Sequence, residues 1–269
     1  MDRTGFADGV AIITGASGGM GSATARQLAA AGWPLLLCDL DQGRLDAVAK
    51  PLRATGHQVE TLALDIALPD FPDQLLDCLG ERAVGALVHT AGLSPLMAEP
   101  ERILRVNLDA TIRLVDAVRP RMAQGGAAVL FASMVGHMPV SLEADDAFTD
   151  PLPEEGVAAL LRYAPSSEIA YTLSKKGVLA LVRRQAKAFG ERKARIVSIS
   201  PGMIDTNMTR GQFAISEVAQ SMLERAAIPR MGLAEEQASV AAFLCSPGAS
   251  YVTGCDIRVD GGALTALGL

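Results

Sequence analysis

The stretch VAIITGASGGMG, from Val10 to Gly21, decides the fold of this 269-residue chain. Its start has the length and composition of a buried strand, and the glycines that follow let the backbone turn tightly and approach a pyrophosphate closely. The next helix would offer free N–H groups and the positive end of its dipole to phosphates. A glycine-rich turn alone is weak evidence, but its position after the first strand of a βαβ unit predicts a dinucleotide site. The predicted contacts there are Gly15, Ser17, Gly19, Met20 and Gly21.

Strand-length apolar runs recur along the chain, and segments with helical periodicity separate them. The runs are nearly continuous in apolar residues, which is typical of strands covered by helices on both faces. The sequence predicts one α/β domain over residues 1–269, with a doubly wound, Rossmann-like, mostly parallel sheet of seven strands. The predicted strands are Val10–Thr14, Leu35–Cys38, Val59–Leu64, Ala86–Thr90, Ala127–Ala132, Arg195–Ser200 and Cys255–Val259. The predicted helices include Ala23–Ala31, Leu45–Thr55, Asp73–Leu79, Ile103–Met122, Ile169–Phe189 and Glu235–Cys245.

Composition excludes several classes of function. Hydrophobic residues make up 49% of the chain but aromatic residues only 4%, so small aliphatic side chains must fill the core. A net charge of −6 leaves no basic excess for phosphate neutralisation, which argues against a nucleic-acid partner. Mean hydropathy is positive, at +0.26. However, charges or turn residues interrupt every apolar run before the roughly 18 residues that a spanning helix needs, so we expect no membrane partner.

Localisation and metal content are also predicted from the sequence. The N-terminus carries Asp2, Arg3 and Asp8 before a short apolar run, which is not the layout of a signal peptide, so we expect a cytoplasmic protein. No CxxC pair is present and there are only three histidines, so we expect no structural metal. We interpret all four cysteines as structural and reduced: Cys38, Cys78, Cys245 and Cys255.

One segment, at about residues 138–167, breaks the alternation of strands and helices. It contains six acidic residues and four prolines, and a short apolar helix, Val157–Tyr163, is predicted near its end. So long an excursion inside a compact domain is typical of a functional or a disordered loop.

Asp39 ends the second predicted strand, eighteen residues after Gly21. A carboxylate there can accept hydrogen bonds from both hydroxyls of an adenosine ribose and would repel a 2′-phosphate. Because the glycine turn contains no Arg or Lys, the sequence favours NAD over NADP as the cofactor, with Leu40 as a further contact. The alternative is that Asp39 caps the following helix, a role that Asp41 could fill instead.

Tyr171 and Lys175 lie four residues apart in a predicted helix, which places a phenol and an ammonium on one face. A nearby ammonium favours the phenolate, so we expect a lowered pKa for Tyr171 and proton transfer to or from an alcohol or carbonyl oxygen. The spacing alone is weak evidence, since many helices carry such a pair on an exposed face.

Together these motifs resemble the short-chain dehydrogenase/reductase family, from Gly15 to Gly262. The TGxxxGxG turn at Thr14–Gly21, Asn107 in a VNL triplet, the YxxxK of Tyr171–Lys175 and the PGxxxT of Pro201–Thr206 follow the family's order. The resemblance implies an NAD(P)-dependent oxidoreductase and a homo-oligomer, a dimer or tetramer.

The resemblance also implies roles for individual residues. Ser133 would hydrogen-bond the substrate oxygen, Asn107 would hold a water in a proton relay from Tyr171, and Lys175 would also bind the nicotinamide ribose. Further cofactor contacts are implied at Asp65, Ile66, Ala91, Gly92, Pro201, Gly202, Ile204 and Thr206.

Other interpretations of these residues stay open. Asn107 could be an ordinary polar helix residue, and Asp65 an ordinary turn residue. Ser133 could cap a strand end, which would leave Ser141 or Ser167 as the catalytic serine.

The sequence departs from the family at two places. The family's NNAG reads His89-Thr90-Ala91-Gly92 here, and His89 is interpreted as a structural residue. Ser133 and Tyr171 are 38 residues apart, where the family uses about a dozen, so the segment at 138–167 is an insertion beside the catalytic serine. It resembles the insertion of 3α-hydroxysteroid dehydrogenase/carbonyl reductases, and we expect it to form a rim or lid over the substrate pocket and to alter subunit packing.

Residues 207–231, after the PG turn, are rich in methionine and aliphatic side chains, which suits an adaptable apolar pocket. The same residues could simply pack short helices onto the core. We therefore expect a hydrophobic secondary alcohol or ketone as substrate, such as a steroid, a terpenoid or a cyclic ketone.

Two other functions compete with this interpretation. A lyase on the same fold, similar to halohydrin dehalogenases, would lack the dinucleotide glycines and the lysine that are present here. A regulator that senses NAD without turnover would not need Asn107, Ser133, Tyr171 and Lys175 together.

Overall fold

The first strand and the glycine turn adopt the predicted βα arrangement. A computed structural model describes residues 7–141, 156–206 and 217–269. Strand β1 (Val10–Thr14) runs through the turn into helix α1 (Gly19–Ala30). Alternate residues of β1 face opposite sides of the sheet, with Ile12 in one apolar cluster and Ile13 in the other.

Seven strands form one sheet in the order β3-β2-β1-β4-β5-β6-β7. Every pairing is parallel, so the sheet is wholly rather than mostly parallel. The order reverses between β1 and β4, and such a switch point opens a crevice at the carboxyl ends of the strands. The remaining strands are β2 (Leu35–Asp39), β3 (Val59–Ala63), β4 (Val84–His89), β5 (Met122–Phe131), β6 (Arg195–Pro201) and β7 (Asp256–Val259).

Helices cover both faces of the sheet. The remaining helices are α2 (Gln42–Ala54), α3 (Phe71–Leu79), α4 (Pro100–Leu104), α5 (Ala110–Val118), α6 (Val157–Leu161), α7 (Ser167–Glu191), α8 (Glu217–Arg225), α9 (Ala234–Leu244) and α10 (Ala263–Ala266). Helices α1, α2 and α9 pack on one face, and α3, α5 and α7 on the other. Aliphatic side chains make up most of the core, as the composition predicts, and Trp33, Phe71 and Phe189 are buried among them.

The predicted helix Ile103–Met122 is wrong in two respects. A π-helical turn, Arg105–Asp109, separates α4 from α5, and a 3₁₀ turn at Arg119–Arg121 ends the segment. Strand β5 then begins at Met122, five residues before the predicted start, because Met122 pairs with Val84 across an irregular register. The helical spacing of apolar residues in a sequence does not reveal such changes in the backbone hydrogen-bond pattern.

The central part of the insertion, residues 142–155, lies outside the described residues. The predicted helix Val157–Tyr163 is confirmed as α6, Val157–Leu161. Its buried Val157 and Leu160 join an apolar cluster with Leu104 and Leu173 of α4 and α7. The end of the insertion is therefore packed onto the helix that carries Tyr171.

Within the described residues, no helix is long and apolar enough to cross a membrane. The same part of the chain contains no cluster of three or more His, Cys, Asp or Glu placed to hold a metal. All four cysteines are free, and Cys38 and Cys245 are buried in the core.

Candidate active site

The glycine turn forms a cradle that has no room for side chains. Gly15 has a φ of 67°, and a Cβ on it would lie 2.6 Å from the backbone N of Ala91. A Cβ on Gly21 would lie 2.1 Å from the carbonyl oxygen of Gly15. Thr90 holds the turn from the neighbouring strand, because its hydroxyl donates to the carbonyl of Thr14 at 2.8 Å. This cradle at the start of α1 fits the pyrophosphate of a dinucleotide.

Asp39 faces the glycine turn from the end of β2. One carboxylate oxygen accepts from the backbone N–H of Ser17 at 2.9 Å and from its hydroxyl at 2.7 Å. The other oxygen accepts from the N–H of Leu40 at 2.8 Å. Asp41, not Asp39, caps α2, by accepting from the N–H of Arg44. The carboxylate of Asp39 is thus fixed beside the turn and is not needed as a helix cap.

Asp65 follows β3 and is also fixed by the chain. One oxygen accepts from the N–H of Ala67 at 2.9 Å, and the other pairs with the guanidinium of Arg102 at 2.5 Å. Partial burial opposes the ionised form, but these two donors hold the pKa of Asp65 below its usual value. Arg113 donates to the carbonyls that follow, and Ile66 is buried beneath the loop. The loop of Asp65 and Ile66, where the resemblance implies cofactor contacts, is therefore held in place by these bonds.

Ser133 and Tyr171 meet at the carboxyl end of β5. Burial of the phenol raises the pKa of Tyr171, and a smaller hydrogen-bond contribution from the side chain of Ser133 lowers it. The two alternative serines lie elsewhere. The hydroxyl of Ser167 donates to the carbonyl of Ala98, and Ser141 is exposed near the start of the insertion.

Lys175 lies one turn after Tyr171, with its ammonium 5.7 Å from the centroid of the phenol ring. The ammonium donates to the carbonyl of Phe131 at 2.8 Å, and burial lowers its pKa to about 8. The expected lowering of the Tyr171 pKa by this ammonium is therefore wrong. The pair is on one face, but burial outweighs an ammonium that is turned toward a backbone carbonyl.

Asn107 lies in the π-helical turn, and its side chain is held by the loop after β4. Its Oδ1 accepts from the N–H of Leu93 at 2.7 Å, and its Nδ2 donates to the carbonyl of Leu93 at 3.0 Å. Gly92 lies between the site groups, since a Cβ on it would be 3.3 Å from Asn107 Oδ1 and 3.6 Å from Lys175 Nζ. The side chain of Asn107 thus positions the loop of Ala91 and Gly92.

His89 is a buried structural residue, as predicted. Its Nδ1 lies 2.6 Å from the hydroxyl of Thr14, and its Nε2 lies 2.8 Å from the hydroxyl of Thr111. Burial, with a smaller contribution from the charge of Lys175, lowers the pKa of His89 to about 3. The imidazole is therefore neutral and joins β1, β4 and α5.

The segment after β6 closes the other side of the crevice. Pro201 ends the strand, and a Cβ on Gly202 would lie 2.7 Å from the Cα of Asp260. Ile204 is buried and forms a bridge with Gly232. Thr206 reaches the glycine turn, because a Cβ on Gly19 would lie 2.8 Å from its Cγ2. The predicted cofactor contacts of the two halves of the chain thus border one crevice, and Met20 packs against Ala23, Ala234 and Ala238.

Sequence reasoning missed the residues that position these groups. Arg102 is 37 residues from Asp65, and Thr111 is 22 residues from His89. Neither spacing corresponds to a local pattern, so no signal in a single sequence could have paired them.

Comparison with known proteins agrees with this geometry. The family described as short chain dehydrogenase matches residues 9–144, and the one described as enoyl-(acyl carrier protein) reductase matches residues 157–264. The short-chain dehydrogenase/reductase bsc3 of Alternaria brassicicola is 32% identical over 95% of this chain and 96% of its own length. The cis-4-hydroxycyclohexanecarboxylate dehydrogenase of Sinomonas cyclohexanicum is 32% identical over 96% of this chain and 97% of its own.

A solved structure has the same architecture over nearly the whole chain. A short chain dehydrogenase from Burkholderia cenocepacia, in complex with NADP, superposes with a TM-score of 0.75 at 25% identity. The match covers 95% of this chain and 97% of that one. From the matched models, the relatives and the fold, the chain belongs to the short-chain dehydrogenase/reductase family of NAD(P)-dependent oxidoreductases.

Proposed function

We propose that this protein is an NAD-dependent oxidoreductase that interconverts a secondary alcohol and a ketone, with Tyr171 as the acid/base. One observation carries the proposal: the phenol of Tyr171 interacts with the side chain of Ser133 and lies one helical turn from the buried ammonium of Lys175, 5.7 Å from the ring centroid to Nζ. These groups border the crevice into which the glycine cradle and the PG segment also open.

The residues of the crevice fit a dinucleotide. The glycine cradle, where Cβ atoms would clash, would hold the pyrophosphate, and Asp39 would accept from the ribose hydroxyls. Ile204 and Thr206 would border the nicotinamide. When bound, NAD supplies hydride-acceptor chemistry, and its reduced form supplies hydride-donor chemistry.

The protein's own groups then handle the proton. Burial keeps the phenol of Tyr171 protonated, so it is prepared to donate a proton to the oxygen of a ketone. Ser133 would donate a second hydrogen bond to that oxygen and hold it against Tyr171. In the direction of alcohol oxidation, Tyr171 must first release its proton, and the positive charge of Lys175 favours that step.

The preference for NAD rests on Asp39. Its carboxylate is held beside the turn by Ser17, and its negative charge would repel the 2′-phosphate of NADP. A pocket of about 380 Å³ beside Ser17 is also lined by Arg26 and Arg44. These guanidinium groups would favour a phosphate if the carboxylate were absent, and Asp39 thus decides the preference.

An apolar substrate is favoured by the side chains next to Ser133. Met134, directly after the serine, packs in a cluster with Ala226 and Leu264, against which Met138 and Met222 also lie. Methionine side chains adapt readily to ligands of different shape. The relative named as a cis-4-hydroxycyclohexanecarboxylate dehydrogenase acts on a cyclic secondary alcohol, and we propose a cyclic substrate of this kind.

The test is NADH absorbance with a panel of cyclic, steroid and terpenoid secondary alcohols, for wild type, Tyr171→Phe and the matched control Tyr251→Phe at a fully exposed tyrosine. We expect turnover by wild type and the control and none by Tyr171→Phe. Turnover that survives in Tyr171→Phe contradicts the mechanism. NAD binding without turnover would favour the sensor, and release of halide from a halohydrin without NADH would favour the lyase.

We also propose that the protein is a homo-oligomer. Phe243, near the end of α9, is 47% exposed although its side chain is large and apolar. Large apolar side chains left exposed on a single chain are candidates for a protein interface. Light scattering should give a mass of two or four chains, and Phe243→Lys should lower it.

A further inference from the structure

His137 belongs to a polar cluster that the proposed reaction does not use. The cluster joins the 3₁₀ turn Met134–His137, directly after Ser133, to the last two strands of the sheet. Its other members are Ser198 and Ser200 of β6 and Asp256 of β7. Both serines are fully buried, and the side chains of His137 and Asp256 are 17% and 14% exposed.

The hydrogen bonds of this cluster fix the tautomer of the imidazole. Nε2 of His137 lies 3.0 Å from Oδ2 of Asp256 and 3.1 Å from the hydroxyl oxygen of Ser200. The other oxygen of Asp256 accepts from the hydroxyl of Ser198 at 2.6 Å. Because an ionised carboxylate only accepts, Nε2 must carry a proton and donate it.

This arrangement is not a nucleophilic triad. In a triad the carboxylate binds one ring nitrogen and the serine binds the other, so that the imidazole can take up the serine's proton. Here Ser200 and Asp256 share the same nitrogen, which is already protonated, and Ser200 is fully buried. The cluster therefore serves as a link between two parts of the fold.

The link acts on the turn that holds Ser133. The hydroxyl oxygen of Ser133 lies 3.4 Å from the N–H of Val135, and the carbonyl of Ser133 accepts from Gly136 at 3.0 Å. On the opposite side, a Cβ on Gly136 would lie 3.1 Å from the backbone carbonyl of Lys175. The turn is thus packed against α7 on one side and tied to the sheet by His137 on the other.

We propose that His137 is a positioning residue for Ser133: its Nε2–H bonds to Asp256 and Ser200 hold the turn so that the hydroxyl of Ser133 stays against Tyr171. This inference rests on the oxidoreductase function proposed above. A shift of the turn would lengthen the bond between Ser133 and Tyr171 without disturbing the glycine cradle, which lies on other strands.

The test compares His137→Gln with His137→Leu. The amide nitrogen of glutamine can replace the donor at Nε2, whereas leucine fills the space without a donor. With the best alcohol of the panel, we expect His137→Leu to lower kcat on the order of tenfold, with KM for NAD within about twofold of wild type. His137→Gln should stay within about threefold. A kcat of His137→Leu within twofold of wild type overturns the proposal, as does an equal loss in both variants.

If the leucine variant does not fold, His137→Asn takes its place, because its shorter side chain cannot reach Asp256; equal kcat in the Gln and Asn variants overturns the proposal. A second measurement is independent of turnover. Nitrogen-15 NMR of the imidazole should show His137 protonated at Nε2, with a shift of that signal in Asp256→Asn. An imidazole protonated only at Nδ1 overturns the link, whereas a wild type without turnover contradicts the proposed function alone.

Discussion

The ionisable groups at the two ends of the crevice have opposite environments. At the end where we propose that adenosine binds, the adenosine end, both oxygens of Asp39 and of Asp65 accept hydrogen bonds from the chain. At the catalytic end, burial raises the pKa of Tyr171 and lowers the pKa of Lys175 to about 8, so it disfavours the charged form of each.

This difference separates binding from chemistry. A carboxylate whose oxygens accept hydrogen bonds from fixed donors keeps its charge and its position. Recognition of a ligand requires both. Destabilising the charged forms brings the pKa of Lys175 closer to neutral pH and keeps the phenol of Tyr171 protonated, so that it can donate a proton. Changes at the catalytic end should therefore alter rates, and changes at the adenosine end should alter affinity, selectivity or stability.

The largest effect is expected from Lys175→Met. Loss of the buried ammonium removes the positive charge that favours release of the Tyr171 proton, so kcat for alcohol oxidation should fall by about 10³-fold. The control is Lys176→Met, at the neighbouring lysine that the site does not include, which should keep its kcat. Steady-state NADH absorbance measures both, and a Lys175→Met protein with more than a tenth of wild-type kcat would contradict the assignment.

At the adenosine end, Gly21→Ala should destabilise the fold. The new Cβ would lie 2.1 Å from the carbonyl oxygen of Gly15, so the cradle must open, at a cost of about 3 kcal/mol in the free energy of unfolding. In the matched control, Gly190→Ala, the Cβ meets nothing within 4 Å, and a gain of about 0.5 kcal/mol is expected. Urea unfolding measures both, and equal stabilities would show that the cradle is not tightly packed.

Lys175 should also make stability depend on pH. Its pKa in the folded protein is about 8, below the ordinary 10.5, so the unfolded chain holds this proton more tightly and the stability due to Lys175 rises with pH between these values. The unfolding free energy of wild type, minus that of Lys175→Met, should rise by about 2 kcal/mol from pH 7 to pH 9.5. A difference independent of pH in urea titrations would mean that Lys175 is not desolvated.

The smallest effect is expected from Asp39→Ala. Removal of the carboxylate leaves Ser17, Arg26 and Arg44 around the pocket beside the turn, so the ratio of kcat/KM for NAD to that for NADP should fall by about tenfold. Asp41→Ala is the control, because it removes only the cap of α2, which costs about 1 kcal/mol of stability. An unchanged cofactor ratio in Asp39→Ala would remove the basis for the NAD preference.

The contiguous parts of the fold could be predicted from the sequence. The strand Val10–Thr14 and the glycine turn are local patterns, and the structure reproduces the strand's limits. The pairing of Tyr171 with Lys175 follows from helical spacing alone. All seven strands were located, because a buried parallel strand is an apolar run whatever lies beside it.

What the sequence could not provide depends on competition between distant groups. The ammonium of Lys175 donates to the carbonyl of Phe131, 44 residues away, and burial of the phenol raises the pKa of Tyr171, whereas the helical spacing predicts a lower one. No spacing of apolar residues predicts the π-helical turn at Asn107. The hydrogen bond between His137 and Asp256 likewise joins residues that are far apart in the sequence. A single sequence reports which faces are apolar, but it does not report how distant polar groups are paired.

The hydrogen bonds around His89 have a further consequence, because they can run in one direction only. The hydroxyl of Thr111 donates to the carbonyl of Asn107 at 2.9 Å, so it must accept from Nε2 of His89. Nδ1 of the neutral ring must then accept from Thr14. With both ring nitrogens bound to hydroxyl groups and a pKa of about 3, His89 stays neutral and has no free nitrogen with which to accept a proton from the site.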